Sequence, residues 1–204
     1  ASYPRLIHPM ECIHTLYDVF ELDDRYVVGA CSSLSTFQGF CHDRLSSFKN
    51  TKTAKPIHDM LRWFASTQIR NVACLGGNLA TASPISDMNP MLAAMGATLI
   101  LASRPNSDGG IERRNVPVEH FFLSYRTVNK QDIEVIERIE IPLVQKFEYV
   151  MPFKQARRRE DDISIVTSGM RIKLCPEKDK GWIIGDVTLA FGGMAPKTVL
   201  AKKT

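Results

Sequence analysis

The sequence predicts an α+β fold, with helices in the first half and an antiparallel sheet at the C-terminal end. Three observations predict it. Apolar residues fall at helical spacing between Leu34 and Phe64 and again from Met88 to Met95. From Ile133 onward they alternate with polar residues, the period of a half-buried strand. At 204 residues and 44% apolar, the chain can bury the core of one domain or two small ones.

The elements follow in order. A short apolar segment, Arg5 to His8, lies between Pro4 and Pro9. Arg25 to Ala30 reads as a strand. Ser32 or Ser33 can cap a helix by accepting a backbone N–H, and Leu34, Phe37, Cys41, Leu45 and Phe48 give that helix an apolar face. Gly39 costs it about 1 kcal/mol relative to alanine. A second helix takes Pro56 in its first turn, carries Ile57, Met60, Leu61 and Phe64 on one stripe, and ends near Ile69. Met88 to Met95 is a short helix opened by Ser86 or Asp87, and Ala97 to Ala102 is a buried strand. Residues 103–111, with Pro105, Asn106, Gly109 and Gly110, form a hairpin-like turn into the strand Glu112 to Val116. Ile133, Val135, Glu137, Ile139 and Ile141 mark a further strand, and two more run through Val166–Leu174 and Val187–Phe191. A boundary near residues 143–147 divides the chain into residues 1–144 and 147–204.

Composition excludes several classes of function. The net charge of +4 comes from basic residues interleaved with acids, not clustered as in a nucleic-acid-binding face. Five widely spaced cysteines show neither zinc-type nor redox-type spacing, so free thiols in a reducing compartment are expected. The sequence offers no apolar run of about 18 residues and no signal-peptide pattern, so a soluble intracellular protein is expected. There is no GxGxxG, HExxH or GxSxG motif. Residues 191–198 (FGGMAPKT) superficially resemble a phosphate loop, but Pro196 precedes Lys197, and a turn ending a strand is expected instead.

The most informative run is Gly76 to Pro90, GGNLATASPISDMNP. Glycines, small hydroxyl residues and two prolines suit a loop whose backbone N–H groups approach a nucleotide-like ligand. Asp87 is placed to accept from ligand hydroxyls or to cap the next helix, and the same carboxylate serves either role. The charge run Arg157 to Asp162 reads as a solvated turn or as a local dipole beside a cofactor.

Several stretches in chain order resemble the flavin domain of the molybdenum hydroxylases, and within it the xanthine dehydrogenase group. They are residues 61–65 (LRWFA), 76–90, 121–126 (FFLSYR), 139–142 (IEIP), 153–163 (FKQARRREDDI), 169–171 (GMR) and 192–195 (GGMA). The resemblance implies an FAD-binding domain of PCMH type, followed by a smaller strand-rich subdomain. It places Phe64 against the cofactor and wraps the diphosphate and ribityl region with Cys74, Leu75, Gly76, Gly77 and Asn78, with Thr81 in the same stretch. Asp87 accepts from cofactor hydroxyls, while Ile136 and Lys154 lie along the flavin ring and its polar edge. Tyr125, Arg126, Glu160, Asp161 and Ile163 fall on the side where relatives bind NAD.

The resemblance further implies electron transfer from iron–sulfur clusters through FAD to NAD, while hypoxanthine and xanthine are oxidised to urate at molybdenum. The 2Fe-2S clusters and molybdopterin belong to other domains of the parent, which is expected to be a homodimer in the cytoplasm or peroxisome. Neither a catalytic residue nor a metal ligand is expected in this chain, nor is a nucleic-acid or membrane partner. Aldehyde-oxidase-type use of oxygen, and a fragment that binds no FAD, are the rival readings. Two departures stand out. The family's further glycine-rich strand–loop would precede the point matching Tyr3, and the C-terminal subdomain stops early, so a middle fragment is expected. Cys74 stands where many relatives carry serine.

Overall fold

The computed structural model describes residues 13–104, 110–178 and 180–203. The segment Arg5–His8 and most of the 103–111 turn lie outside them. Helix α1 (His14–Tyr17) leads into β1 (Val19–Glu21) and β2 (Arg25–Gly29). Five helices follow: α2 (Leu34–Ser46), α3 (Thr51–Arg62), α4 (Thr67–Val72), α5 (Leu75–Thr81) and α6 (Met88–Ala94). Next come β3 (Thr98–Ser103), β4 (Glu112–Pro117), α7 (Val118–Phe121), β5 (Phe122–Ser124), β6 (Thr127–Val128) and β7 (Glu134–Pro142). The chain then runs through β8 (Glu148–Ala156), β9 (Ser164–Glu177), β10 (Gly181–Gly192) and β11 (Val199–Leu200).

The strands form a five-stranded sheet in the order β1-β2-β7-β3-β4, a four-stranded sheet β11-β10-β9-β8 and a small β5-β6 ribbon. All recorded pairings are antiparallel, so the expected α+β class holds. The helices pack between the sheets over one continuous core that includes Tyr26, Phe37, Leu61, Met91, Phe121 and Ile139. Each such side chain stabilises the fold by roughly 1.5–3 kcal/mol through burial.

Local chemistry explains most element ends. Ser33 caps α2, accepting from the Thr36 N–H at 3.0 Å. Leu34, Phe37 and Cys41 are buried as the helical spacing requires, but Phe48 lies beyond the helix end, left-handed and 89% exposed. Pro56 sits inside α3, not in its first turn, because Asn50 starts the helix earlier by accepting from Thr53 and Ala54. That helix stops at Arg62, so Phe64 lies past its end, and α4 is a separate element.

Strand β7 departs from the expected alternation. Its register with β3 shifts between Ile100 and Leu101, where Ile100 faces Arg138 and Leu101 faces Ile136. Glu137 is thus the extra residue of a bulge, and the side-chain phase inverts across it. Ile139 and Ile141 stay in the core, joined by Ile136, while Ile133 and Val135 are exposed.

The four-stranded sheet is docked through α6. A Cβ at Gly169 of β9 would collide with the Met91 backbone, so only glycine lets the helix approach this closely. The Arg171 guanidinium donates to the Ala94 carbonyl at 3.0 Å and pairs with Glu148 and Asp186, each at 2.6 Å. The run FGGMAPKT is a turn ending β10, as expected. The Gly193 N–H donates to the Pro84 carbonyl at 2.7 Å, and Lys197 donates to the Phe122 carbonyl at 2.9 Å.

Candidate functional site

Docking of α6 brings Asp87, at its N-terminal end, against β8 and β9. Lys154 of β8 pairs with the Asp87 carboxylate at 2.8 Å and donates to the Trp63 carbonyl, also at 2.8 Å. Ser164, at the start of β9, donates to the other carboxylate oxygen of Asp87. Both charged side chains are about nine-tenths buried. A pair withdrawn from water to that degree is held by its geometry and by the further hydrogen bonds on each partner.

The cluster extends toward α5 through Ser86, which donates to the Asn78 side chain at 2.8 Å. Ser86 also receives an N–H from Asn89 at 3.4 Å, while the Thr167 hydroxyl donates to its carbonyl at 3.2 Å. Asp87 makes no side-chain cap to α6. Of the two roles open from sequence, capping is therefore not the one its carboxylate performs.

The stretch Leu75–Thr81 is a helix, not the open loop the composition suggests. Its first glycine serves packing. A Cβ at Gly76 would stand 2.7 Å from the Ala30 Cβ, and the Gly76 N–H donates to the Ala30 carbonyl at 3.0 Å. The Gly77 N–H donates to the Cys74 sulfur at 3.3 Å and the Asn78 N–H to the Cys74 carbonyl at 3.0 Å. These three backbone donors are thus engaged within the protein. Gly77 and Thr81 are exposed, with the Thr81 hydroxyl bonded to the Gly77 carbonyl at 2.8 Å, whereas the Leu75 side chain belongs to the core.

The remaining expected positions are divided between the core and the surface. Phe64 is partly buried against the core, next to Trp63. Ile136 is buried in the five-stranded sheet. Tyr125 and Arg126 form the exposed tip of the β5-β6 ribbon, the guanidinium 5.7 Å from the ring centre. Glu160, Asp161 and Ile163 belong to the exposed turn between β8 and β9. There Asp162 accepts from the Arg158 and Ile163 N–H groups, which hold its carboxyl below the ordinary range. Glu160 and Asp161 face Trp63 and Arg70 across a cavity of about 330 Å³.

A larger cleft of about 1030 Å³ opens between α3 and the free edge of β8, lined by Pro56, Trp63, Met151, Phe153 and Lys154 among others. None of Cys74 to Thr81 lines it. The Asp87–Lys154 junction, and not cleft size, therefore marks the site. Sequence reasoning missed Ser86, Ser164 and the Trp63 carbonyl. Ser164 was findable only as the residue after the charged run, a weak signal.

Residues 1–144 match the family model described as the FAD binding domain in molybdopterin dehydrogenase. The chain belongs to this family. Residues 152–204 match the CO dehydrogenase flavoprotein C-terminal domain. The chain is 40% identical to the xanthine dehydrogenase of Drosophila subobscura over 205 residues, covering 99% of this chain and 15% of that protein. It is equally similar to the chicken (Gallus gallus) xanthine dehydrogenase/oxidase, at 40% over 204 residues, with 99% and 14% covered. A nicotinate hydroxylase of Emericella nidulans matches at 40% over 184 residues, with 87% and 13% covered. The chain thus spans about one seventh of the length of such relatives. Among solved structures, the CO dehydrogenase of Oligotropha carboxidovorans superposes with a TM-score of 0.73 at 19% identity, covering 91% of this chain and 58% of that one. The quinoline 2-oxidoreductase of Pseudomonas putida 86 gives 0.73 at 21% identity, covering 92% and 59%. These structures share the fold.

The free donors and acceptors of this cluster fit an FAD. Lys154 has three N–H donors and uses two, on Asp87 and Trp63, so one remains for a ligand. The Asp87 oxygens each hold one hydrogen bond and keep a lone pair for another. Exposed Gly77 and Thr81 border the same cluster through Asn78 and Ser86.

Proposed function

We propose that this chain is the flavin-carrying part of a xanthine-dehydrogenase-type molybdenum hydroxylase that delivers electrons to NAD during oxidation of hypoxanthine and xanthine to urate. The observation that carries the reading is the buried Lys154–Asp87–Ser164 cluster, within a chain 40% identical to xanthine dehydrogenases along nearly its whole length. FAD bound there supplies exchange of electrons between one-electron and two-electron carriers.

The chain's own residues bind and tune. Lys154, fixed by Asp87 and the Trp63 carbonyl, would hold the ligand through its remaining N–H and supply a fixed cation that stabilises negative charge on a reduced flavin. Asp87 is kept in one orientation by Ser164 and Lys154, so its remaining lone pairs recognise hydroxyl or N–H donors. Asn78, oriented by Ser86, and Thr81 offer polar groups from α5. Phe64 and Ile136 would supply apolar side chains to the flavin. Tyr125, Arg126, Glu160, Asp161 and Ile163 form the NAD-facing surface.

The reading also places 2Fe-2S and molybdopterin domains on the same parent chain, in a cytoplasmic or peroxisomal homodimer. The full-length protein, given xanthine and NAD, should form NADH and urate. Oxygen consumption without NADH would overturn the NAD assignment. The equal similarity to a nicotinate hydroxylase favours one second reading, a different heteroaromatic substrate, and nicotinate in the same assay distinguishes it.

A further inference from the structure

Strand β9 opens on an irregularity. Lys154 of β8 faces Thr167 and Gln155 faces Val166, but Ala156 faces Ser164. Ile165 is left as an extra residue without a partner on β8, which makes a β-bulge. Lys154 and Thr167, as cross-strand partners, share the inner face, where Thr167 donates to the Ser86 carbonyl at 3.2 Å. Strict alternation back from Thr167 would turn Ile165 inward and Ser164 outward. The bulge reverses the phase, so that Ser164 is 5% exposed and Ile165 50%. Ser164 thereby reaches Asp87.

The turn after β10 fits against this bulge. Gly193 is left-handed, with φ +83°, and a Cβ there would collide with the Ile165 carbonyl. Its N–H is taken by the Pro84 carbonyl, just before Asp87 in the chain. One glycine thus touches both the bulge and the segment that carries the carboxylate. We propose that Ser164 is a positioning residue that sets how far Asp87 offsets the Lys154 cation, and through it the redox balance of the flavin.

The two oxygens of Asp87 have separate duties. Lys154 pairs with one at 2.8 Å, and the Ser164 hydroxyl donates to the other. With both charged side chains about nine-tenths buried, little water screens them, and one hydrogen bond changes the field of the pair. The hydroxyl engages part of the carboxylate's charge and leaves more of the Lys154 field for charge that develops on reduction. Without it, Asp87 offsets the cation more completely and a reduced flavin loses support. The effect on the flavin rests on the proposed function, whereas the coupling of Ser164 to Lys154 through Asp87 does not.

The test uses the full-length protein with FAD bound. The flavin is equilibrated with a reference dye of known potential, and its visible absorbance is read against the flavin-free protein to subtract other centres. Ser164→Ala should hold about tenfold less reduced flavin at the same poise, a fall of about 30 mV for a two-electron couple. Ser164→Thr keeps the hydroxyl and should return the potential to the parent value. An unchanged potential in Ser164→Ala overturns the proposal, and so does a threonine variant that shifts as far as alanine. The flavin-free protein supplies a second readout. There the losses of urea stability in Ser164→Ala and Lys154→Met should not add, because both act on one carboxylate. Additive losses overturn the coupling. Non-additive losses in a protein that binds no FAD sink the flavin assignment and support the coupling.

Discussion

The five-stranded sheet meets water with paired charges, whereas the four-stranded sheet meets it with apolar side chains. On the first, Arg113 pairs with Glu137, Arg138 bridges Glu137 and Glu140, and Arg25 completes the row on Glu140. On the second, Tyr149, Met151 and Phe153 of β8 are about half exposed, and Val187 of β10 likewise. The polarity of β8 is inverted. Its outward phase is apolar, while Glu148 and Lys154 face inward to Arg171 and Asp87. Alternation in a sequence gives the period of a strand but not which phase meets water. In this chain the polar phase of β8 turns inward at the Asp87–Lys154 ion pair.

The largest test of this contrast is Lys154→Met, which leaves Asp87 buried without its cation. It should cost about 3–5 kcal/mol in urea unfolding and abolish flavin binding. Pairing it with Asp87→Leu should restore most of the stability but no binding. Equal loss in both variants would mean that the inward charges act only as structure. Gly169→Ala comes next, because its methyl meets the Met91 backbone. A loss of about 1–3 kcal/mol is expected, along with weaker flavin retention as α6 is displaced.

The charged face of the first sheet makes a pH prediction. On that face the Arg113 guanidinium holds the Glu137 carboxyl below its ordinary value of 4.5. A lowered value in the fold means a contribution that is full above about 4.5 and lost as pH falls through the lowered value. Glu137→Gln should therefore flatten the acid limb of a stability–pH curve and change little above neutrality. An unchanged acid limb would break the comparison. The smallest effect belongs to Met151→Lys, on the outer face of the second sheet. Its stability in this chain should stay within about 0.5 kcal/mol of the parent value.

Much of the architecture was legible because helices and strands declare their periods. The burial of Leu34, Phe37, Ile57 and Leu61 follows directly from spacing. What was not legible depends on neighbours distant in sequence. The bulge at Glu137 exists because β3 shifts register opposite it. The glycines at 76 and 77 suggest a ligand loop, yet Gly76 is required by Ala30, 46 positions earlier in the chain. Asp87 and Lys154 were legible by resemblance, while their mutual ion pair and Ser164 were not.

Strand β7 has a consequence for how the chain is made. It is the last strand of its sheet to be synthesised, yet it takes the central place, between β2 and β3. Until residue 142 has left the ribosome, the β1-β2 and β3-β4 ribbons each keep a bare edge where β7 will pair. Those edges are exposed for about a hundred residues of elongation in the case of β2, a window in which nascent chains can pair with one another. Damage to β7 should therefore appear first as a loss of soluble yield during synthesis, before any change in the finished protein.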